Sequence, residues 1–372
     1  MGLASHALLA LAVLLAVALF LATVLLWPRL ANRSWRAVTG RIGLLLGTQL
    51  TIFAAVALAA NQEFGFYASW ADLFGQEQGQ GVVTDHKAAS GHGPLRVVST
   101  QDVAVSGGAR PTVGGQIQKV DLVGRTTHIA TPAYVYLPPE YFRPRYAHRT
   151  FPASVVLTGY PGTAQALIKG LHYPQTAHEL AKAGRMPPMI LVMLRPTVAP
   201  PRDTECVDVP GGPRTETFFA KDLPDAVAGH YRVGKKPGGW GIVGDSTGGY
   251  CALKSALHHP GVYGAGAGLS AYYKAPEDPT TGDLFHGKTA LRHRADLMWF
   301  LDHMPSAPTS LLVTSSKQGE SNYKNTQRFI RKVKSPTRVS SIVLDSGGHN
   351  FNTWRREIPA TLEWLGQRLG DK

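Results

Sequence analysis

The sequence predicts an α/β protein: a mostly parallel sheet covered by helices on both faces, preceded by a two-helix transmembrane hairpin. Three observations carry this. Two charge-free apolar stretches lie near the start of the chain. From about Gln118, strand-like runs alternate with helical patterns, as in βα units. One strand–turn–helix junction holds the tightest turn motif of the chain, Gly244-Asp245-Ser246-Thr247-Gly248-Gly249. The 372 residues leave room for one large domain plus appendages.

Ala7 to Trp27 carries no charge and is long enough to span a bilayer. Ile42 to Ala60 is a second, shorter span. The segment between them, Pro28 to Arg41, contains Arg29, Arg33, Arg36 and Arg41 and no acid. The positive-inside rule places that loop in the cytoplasm, so the chain after Ala60 lies outside it. A cleaved signal peptide is the rival for the first stretch. The lack of a basic residue before it and the second span after it count against that. Gln62 to about Gly115, rich in Gly, Gln, Ser and charge, reads as a partly disordered juxtamembrane linker. Phe64, Phe66, Tyr67 and Trp70 suit the membrane interface. The main domain is then residues 116–372.

Within it, strands are expected at Ala133 to Leu137, Ala153 to Leu157, Met189 to Leu194, Trp240 to Gly244, Gly264 to Leu269, Ser310 to Thr314 and Val339 to Leu344. Helical patterns intervene, as at Thr217 to Tyr231 and Ser321 to Val333. Ligands in such sheets bind outside the carboxyl ends of the strands. Tyr272 to Arg294 lacks periodicity and reads as a rim over the site, with Tyr272, Tyr273 and Trp299 available to lipid or sugar. Gly282 to Thr289 formally matches a phosphate loop, but a Pro-rich polar segment stands where the strand must be, so nucleotide binding is set aside.

Trp240 to Val243, then Gly244 to Gly248, then a helix from Tyr250 to His258 is the setting that makes G-x-S-x-G a nucleophile elbow. Ser246 is the candidate nucleophile, and the Thr247 N–H a candidate oxyanion donor. The bland alternative is a glycine-rich turn with a structural serine. Partners later in the chain weigh against it. Among 14 histidines, only His349 sits on a Gly-Gly turn between a strand and a terminal helix, Asn350 to Trp364, late in the chain. The acid belongs between Ser246 and His349, where the carboxylates are Glu277, Asp278, Asp283, Asp296, Asp302, Glu320 and Asp345. Glu320 follows the buried strand Ser310 to Thr314 and is placed ahead of Asp345, which sits very near His349 in the chain. Tyr160, in the turn after Ala153 to Leu157, offers a second oxyanion N–H.

Cys206 and Cys251 are the only cysteines. Outside the cytoplasm a disulfide between them is the expected state, bracing the floor of the site. No metal site is expected, because neither cysteine has a second ligand at finger-like spacing. No cofactor is required. The formal net charge of +13 comes without a basic cluster interleaved with aromatics. Attraction to an anionic envelope surface therefore explains it better than nucleic-acid binding.

With these pieces in place, the chain resembles the bacterial serine esterases of the esterase-D-like group within the α/β-hydrolases, relatives of the mycobacterial mycolyltransferases. The matching pieces are Val135-Tyr136-Leu137-Pro138-Pro139-Glu140-Tyr141, Leu157-Thr158-Gly159-Tyr160 and Glu216 to Pro224, with the elbow and the Gly-Gly-His turn. They run from Ala133 to the end of the chain. The resemblance implies a Ser246–Glu320–His349 triad with oxyanion N–H groups from Tyr160 and Thr247. Two departures stand out: Thr158-Gly159 replaces the usual Asp-Gly, and Asp245 precedes the nucleophile where relatives often carry an apolar or small residue. The expected activity is that of a membrane-anchored, outward-facing serine esterase or acyltransferase on carboxylic esters, with cell-envelope lipids or acyl-sugars as candidate substrates. The alternative is a non-catalytic hydrolase-like domain for envelope binding or assembly.

Overall fold

The computed structural model describes residues 5–64, 70, 93–200 and 202–370. The chain divides into two compact units, residues 1–82 and 83–372. In the first, α1 (His6–Leu26) and α2 (Trp35–Phe64) form a helical pair. Both are long and apolar enough to cross a membrane. Thr23 Oγ1 meets Thr48 Oγ1 at 3.1 Å between them. Large apolar residues such as Leu14, Leu25, Leu50 and Phe53 face outward. Arg36 and Arg41, expected in a loop, instead lie in the first two turns of α2. Ser34 allows this early start, because its Oγ accepts the Ala37 N–H at 3.3 Å, as a helix N-cap does. Phe66 and Tyr67 lie outside the described residues.

The second unit is built on nine strands: β1 (Leu95–Asp102), β2 (Gln116–Val123), β3 (Ala130–Leu137), β4 (Ala153–Leu157), β5 (Ile190–Leu194), β6 (Trp240–Asp245), β7 (Ala265–Leu269), β8 (Ser310–Gln318) and β9 (Arg338–Ser346). Their order in the sheet is β1-β2-β3-β5-β4-β6-β7-β8-β9. The first three are antiparallel, and every pairing from β5 to β9 is parallel. The named helices are α3 (Tyr173–Lys182), α4 (Leu223–His230), α5 (Thr247–His258), α6 (Leu297–His303), α7 (Tyr323–Lys332) and α8 (Phe351–Gly366). Every residue of β4, β5, β6 and β7 is buried, as expected for strands covered on both faces. This is an α/β-hydrolase fold.

One boundary differs from expectation. The segment read as linker up to Gly115 contains β1, which pairs with β2 over Leu95 to Asp102. β1 is an edge strand with most of its residues exposed, so its sequence, Leu-Arg-Val-Val-Ser-Thr-Gln-Asp, carries no buried apolar run to mark it. Its charged and polar side chains are what an edge facing water requires.

α5 is held against the loop after β5 in two ways. A disulfide joins Cys206 to Cys251, with Cα atoms 5.7 Å apart. The buried ammonium of Lys254 donates to the Cys206 carbonyl oxygen at 2.6 Å and to Glu216. Glu216 also contacts His258 Nδ1 and His259 Nε2, each at 2.9 Å. Despite its burial, the ammonium and imidazole partners hold the Glu216 carboxyl well below its usual range.

The disulfide closes a loop with a sequence separation of 45. On chain-entropy grounds its loss costs about 4 kcal/mol. Urea unfolding of the Cys206→Ser/Cys251→Ser double variant should show a midpoint well below that of the oxidised protein, and dithiothreitol should shift the wild type but not the variant.

Candidate active site

β6 ends at Asp245 and α5 begins at Thr247, so Ser246 forms the whole corner. It has φ 51° and ψ −118°, a conformation that costs a non-glycine residue about 1–3 kcal/mol. Bonds on both sides hold it: Ser246 N–H donates to Leu269 O at 2.9 Å, and Tyr250 N–H donates to Ser246 O at 3.0 Å. Glycine is required at position 248, because a Cβ there would lie 2.5 Å from the carbonyl oxygens of both Leu157 and Thr158. The fit is also tight, though less severe, at Gly159, whose Cβ would sit 3.0 Å from Ser246 Cβ. The loop after β4 therefore rests directly on the elbow. β4 and β6 are neighbours whose onward connections lead to opposite sides of the sheet, which makes this crevice the topological switch point.

His349 comes from the loop between β9 and α8. Its Nε2 lies 2.8 Å from Ser246 Oγ. The ring packs edge-on against Trp354, with centroids 5.2 Å apart, while part of it stays open to solvent. Desolvation lowers its pKa below the ordinary 6.5, and the charge of Glu320 works against that shift. The imidazole is therefore mostly neutral near pH 7, as a proton acceptor must be.

Glu320 lies on the loop after β8 and acts on His349 through its charge. Its Oε2 accepts the Ser316 N–H at 2.7 Å and the Ser315 hydroxyl at 2.9 Å. Its Oε1 is buried without a hydrogen-bond partner among the described residues. Asp345, the other candidate acid, is an exposed residue paired with Lys317 at 2.8 Å.

The Thr247 N–H opens α5, and the Tyr160 N–H lies in the loop resting on the elbow. Neither has an acceptor among the described residues, and a helix leaves its first N–H groups unpaired in any case. The intervening Gly159 N–H is already engaged by Asp245 Oδ2 at 2.8 Å. Asp245 thus ties the Tyr160 loop to the residue before Ser246. Burial with no cation beside it pushes the Asp245 carboxyl up to about 7. On the other flank, the Tyr272 hydroxyl lies 3.0 Å from Thr247 Oγ1 and 2.7 and 2.6 Å from the two carboxyl oxygens of Glu205. Burial, and then Asp203, pushes Glu205 up to about 8.

The sequence reading missed these supporting groups. Asp245 was visible only as a departure from a pattern. Nothing local marks Glu205 or Glu357, because their burial is set by distant segments. Glu357 on α8 is fully buried and accepts the Thr314 hydroxyl at 2.7 Å. Tyr273, expected at the rim, is instead a core residue, bonded to Thr326 and stacked on Phe329. Leu284 and Phe285 of the phosphate-loop look-alike are also core.

These observations define a class: an α/β-hydrolase with a serine–histidine pair at a nucleophile elbow. The model of the Esterase family, described as "Putative esterase", matches residues 125–365. The chain belongs to that family. An uncharacterized protein of Corynebacterium glutamicum is 26% identical over 281 residues, covering 69% of this chain and 63% of the relative. The chain therefore spans less than two thirds of that relative's length. Among solved structures, an S-formylglutathione hydrolase from Agrobacterium tumefaciens aligns with a TM-score of 0.57 at 16% identity, covering 74% of this chain and 100% of the other. A fluorophosphonate-binding serine hydrolase from Staphylococcus aureus aligns with a TM-score of 0.55 at 16% identity, covering 67% and 97%. At these identities the structures speak for the fold.

Burial pushes Glu357 up to about 8 from 4.5. A carboxyl with a raised folded-state pKa contributes stability that is full below about pH 4.5 and lost as the pH rises through about 8. Glu357→Gln keeps an oxygen for Thr314 and cannot ionise. Thermal unfolding between pH 5 and pH 9 should show a smaller drop in melting temperature for the variant than for the wild type.

Proposed function

We propose that this chain is a membrane-anchored serine esterase or acyltransferase whose main domain faces away from the cytoplasm. The observation that carries this is the 2.8 Å approach of His349 Nε2 to Ser246 Oγ at the strained elbow. Ser246 attacks an ester carbonyl as His349 takes its proton. Glu320 stabilises the imidazolium that forms. The Tyr160 and Thr247 N–H groups hold the oxyanion, helped by the positive end of α5. His349 then returns the proton to the departing alcohol, leaving an acyl-enzyme. Water or an acceptor alcohol, activated by the same histidine, resolves it. These are carboxylic-ester steps that need no cofactor. The anchor is α1 and α2, and the arginine-rich connection between them supports the outward orientation. Cell-envelope lipids and acyl-sugars are the substrates that location would supply. A purely binding role gives no reason to maintain the strained Ser246 beside a largely neutral histidine.

Hydrolysis of p-nitrophenyl butyrate tests the roles. Ser246→Ala and His349→Ala should each lower kcat/KM by about 10⁴-fold or more, and Glu320→Gln by about 10²–10⁴-fold. Wild-type kcat/KM should rise with pH as His349 deprotonates, with its midpoint below 6.5. A misplaced oxyanion loop costs about 10²-fold in kcat, so Asp245→Ala should show that loss with little change in KM. Asp245→Asn, which keeps an oxygen for the Gly159 N–H, should stay within about threefold of the wild type.

A further inference from the structure

A cavity of about 230 Å³ lies between the loop after β7, the start of α6 and one face of α7. Two residues join its lining to the site. Tyr272 contacts Thr247, the residue after Ser246, through its hydroxyl. Asn322 shares the Ser315 hydroxyl with Glu320, its Oδ1 lying 3.2 Å from Ser315 Oγ. The Asn322 side chain is itself fixed by donating to Ala271 O at 2.6 Å.

Away from those two residues the lining turns cationic. Lys274 and Arg328 are exposed, and neither has a carboxylate partner among the described residues. The one carboxylate in the lining, Asp296, is already engaged: its Oδ1 accepts the Met298 and Trp299 N–H groups at 3.0 and 3.1 Å. The Asn325 amide adds a neutral donor. Two other cavities also hold several cations, and they differ in their links to the site. One, of about 640 Å³, has Arg125, Lys221 and Lys235 mixed with Asp222 and Asp225. The other, of about 570 Å³, has Arg143, Arg145 and Lys182 with Glu140, which pairs with Arg143. Among the described residues, no lining residue of either is hydrogen-bonded to Thr247 or Ser315.

From this arrangement we infer that the cavity is a substrate subsite for an anionic group, a carboxylate or phosphate carried by the ester a short distance from its scissile bond. This rests on the esterase reading and narrows it. Arg328 offers a planar fork and Lys274 a mobile point charge, the usual pair for an oxyanion held at a solvent-exposed site. The rest of the wall is Tyr272, Tyr273 and Met298, and a volume of about 230 Å³ suits a short group better than a long alkyl chain. The anion enters either on the acyl side or on the alcohol side of the ester.

The full-length protein in detergent is assayed with two matched pairs of esters. One pair places the anion on the acyl side: p-nitrophenyl hydrogen adipate against p-nitrophenyl hexanoate. The other places it on the alcohol side: 1-butyrylglycerol 3-phosphate against monobutyrin. The wild type should favour the anionic member of one pair by about tenfold in kcat/KM, chiefly through KM, and 0.5 M salt should erode that preference. The pair showing it identifies the side. Lys274→Ala/Arg328→Ala should abolish the preference while leaving turnover of the neutral esters within about twofold. Equal turnover within both pairs, or a preference that survives in the double variant, overturns the subsite and leaves the esterase reading standing. No turnover of any of the four esters overturns both.

Discussion

The structure depends on one steric constraint, the contact between the elbow at Ser246 and the loop after β4. Gly248 leaves room for the Leu157 and Thr158 carbonyl oxygens, and Gly159 leaves room for the serine's own Cβ. Because the two turns touch, the loop that carries Tyr160 lies against the corner that carries Ser246 and Thr247. A side chain at Gly248 would push that loop away from the elbow, and one at Gly159 would press on Ser246. The strain at Ser246 is tolerated because the surrounding backbone bonds and packed helix leave it no alternative.

Around that contact the protein uses buried carboxyls with little or no opposing charge. Asp245 ties down the β4 loop, Glu205 anchors Tyr272 beside Thr247, and Glu357 lies under Glu320 with Thr314 as its partner. Burial favours the neutral acid in each, with raised values of about 7, 8 and 8. A carboxyl held up in this way still accepts a hydrogen bond and carries less negative charge near the elbow at neutral pH than a solvated one would. Glu216 is the counter-example. Paired with the Lys254 ammonium and hydrogen-bonded to His258 and His259, it is ionised and fixes the far end of α5; His258, pushed down to about 4 by burial, takes part as a neutral imidazole.

Much of this was legible in the chain. The parallel strands read clearly because burial on both faces demands continuous apolar runs, as in Ala153 to Leu157 and Ile190 to Leu194. The elbow read clearly because few residue patterns fit so tight a corner, and His349 because it ends a strand on two glycines. β1 did not read, since an edge strand facing water has no apolar signature. Arg36 and Arg41 read as loop because the apolar run begins only at Ile42, whereas the helix starts at Trp35, behind the Ser34 N-cap. Tyr273 looked like rim because its segment lacks periodicity, yet its partners Thr326 and Phe329 arrive from α7, more than fifty residues on. The supporting carboxyls share that property: each is buried by segments remote in sequence, so no local pattern announces it.

The central claim is that Ser246 is an activated nucleophile. The most direct measurement treats the full-length protein in detergent with a fluorophosphonate and maps the adduct by peptide mass spectrometry. The account predicts one modified residue, Ser246, with modification strongly slowed in His349→Ala. A folded protein that takes up no label, or takes it up on another residue at the same rate with and without His349, would contradict it.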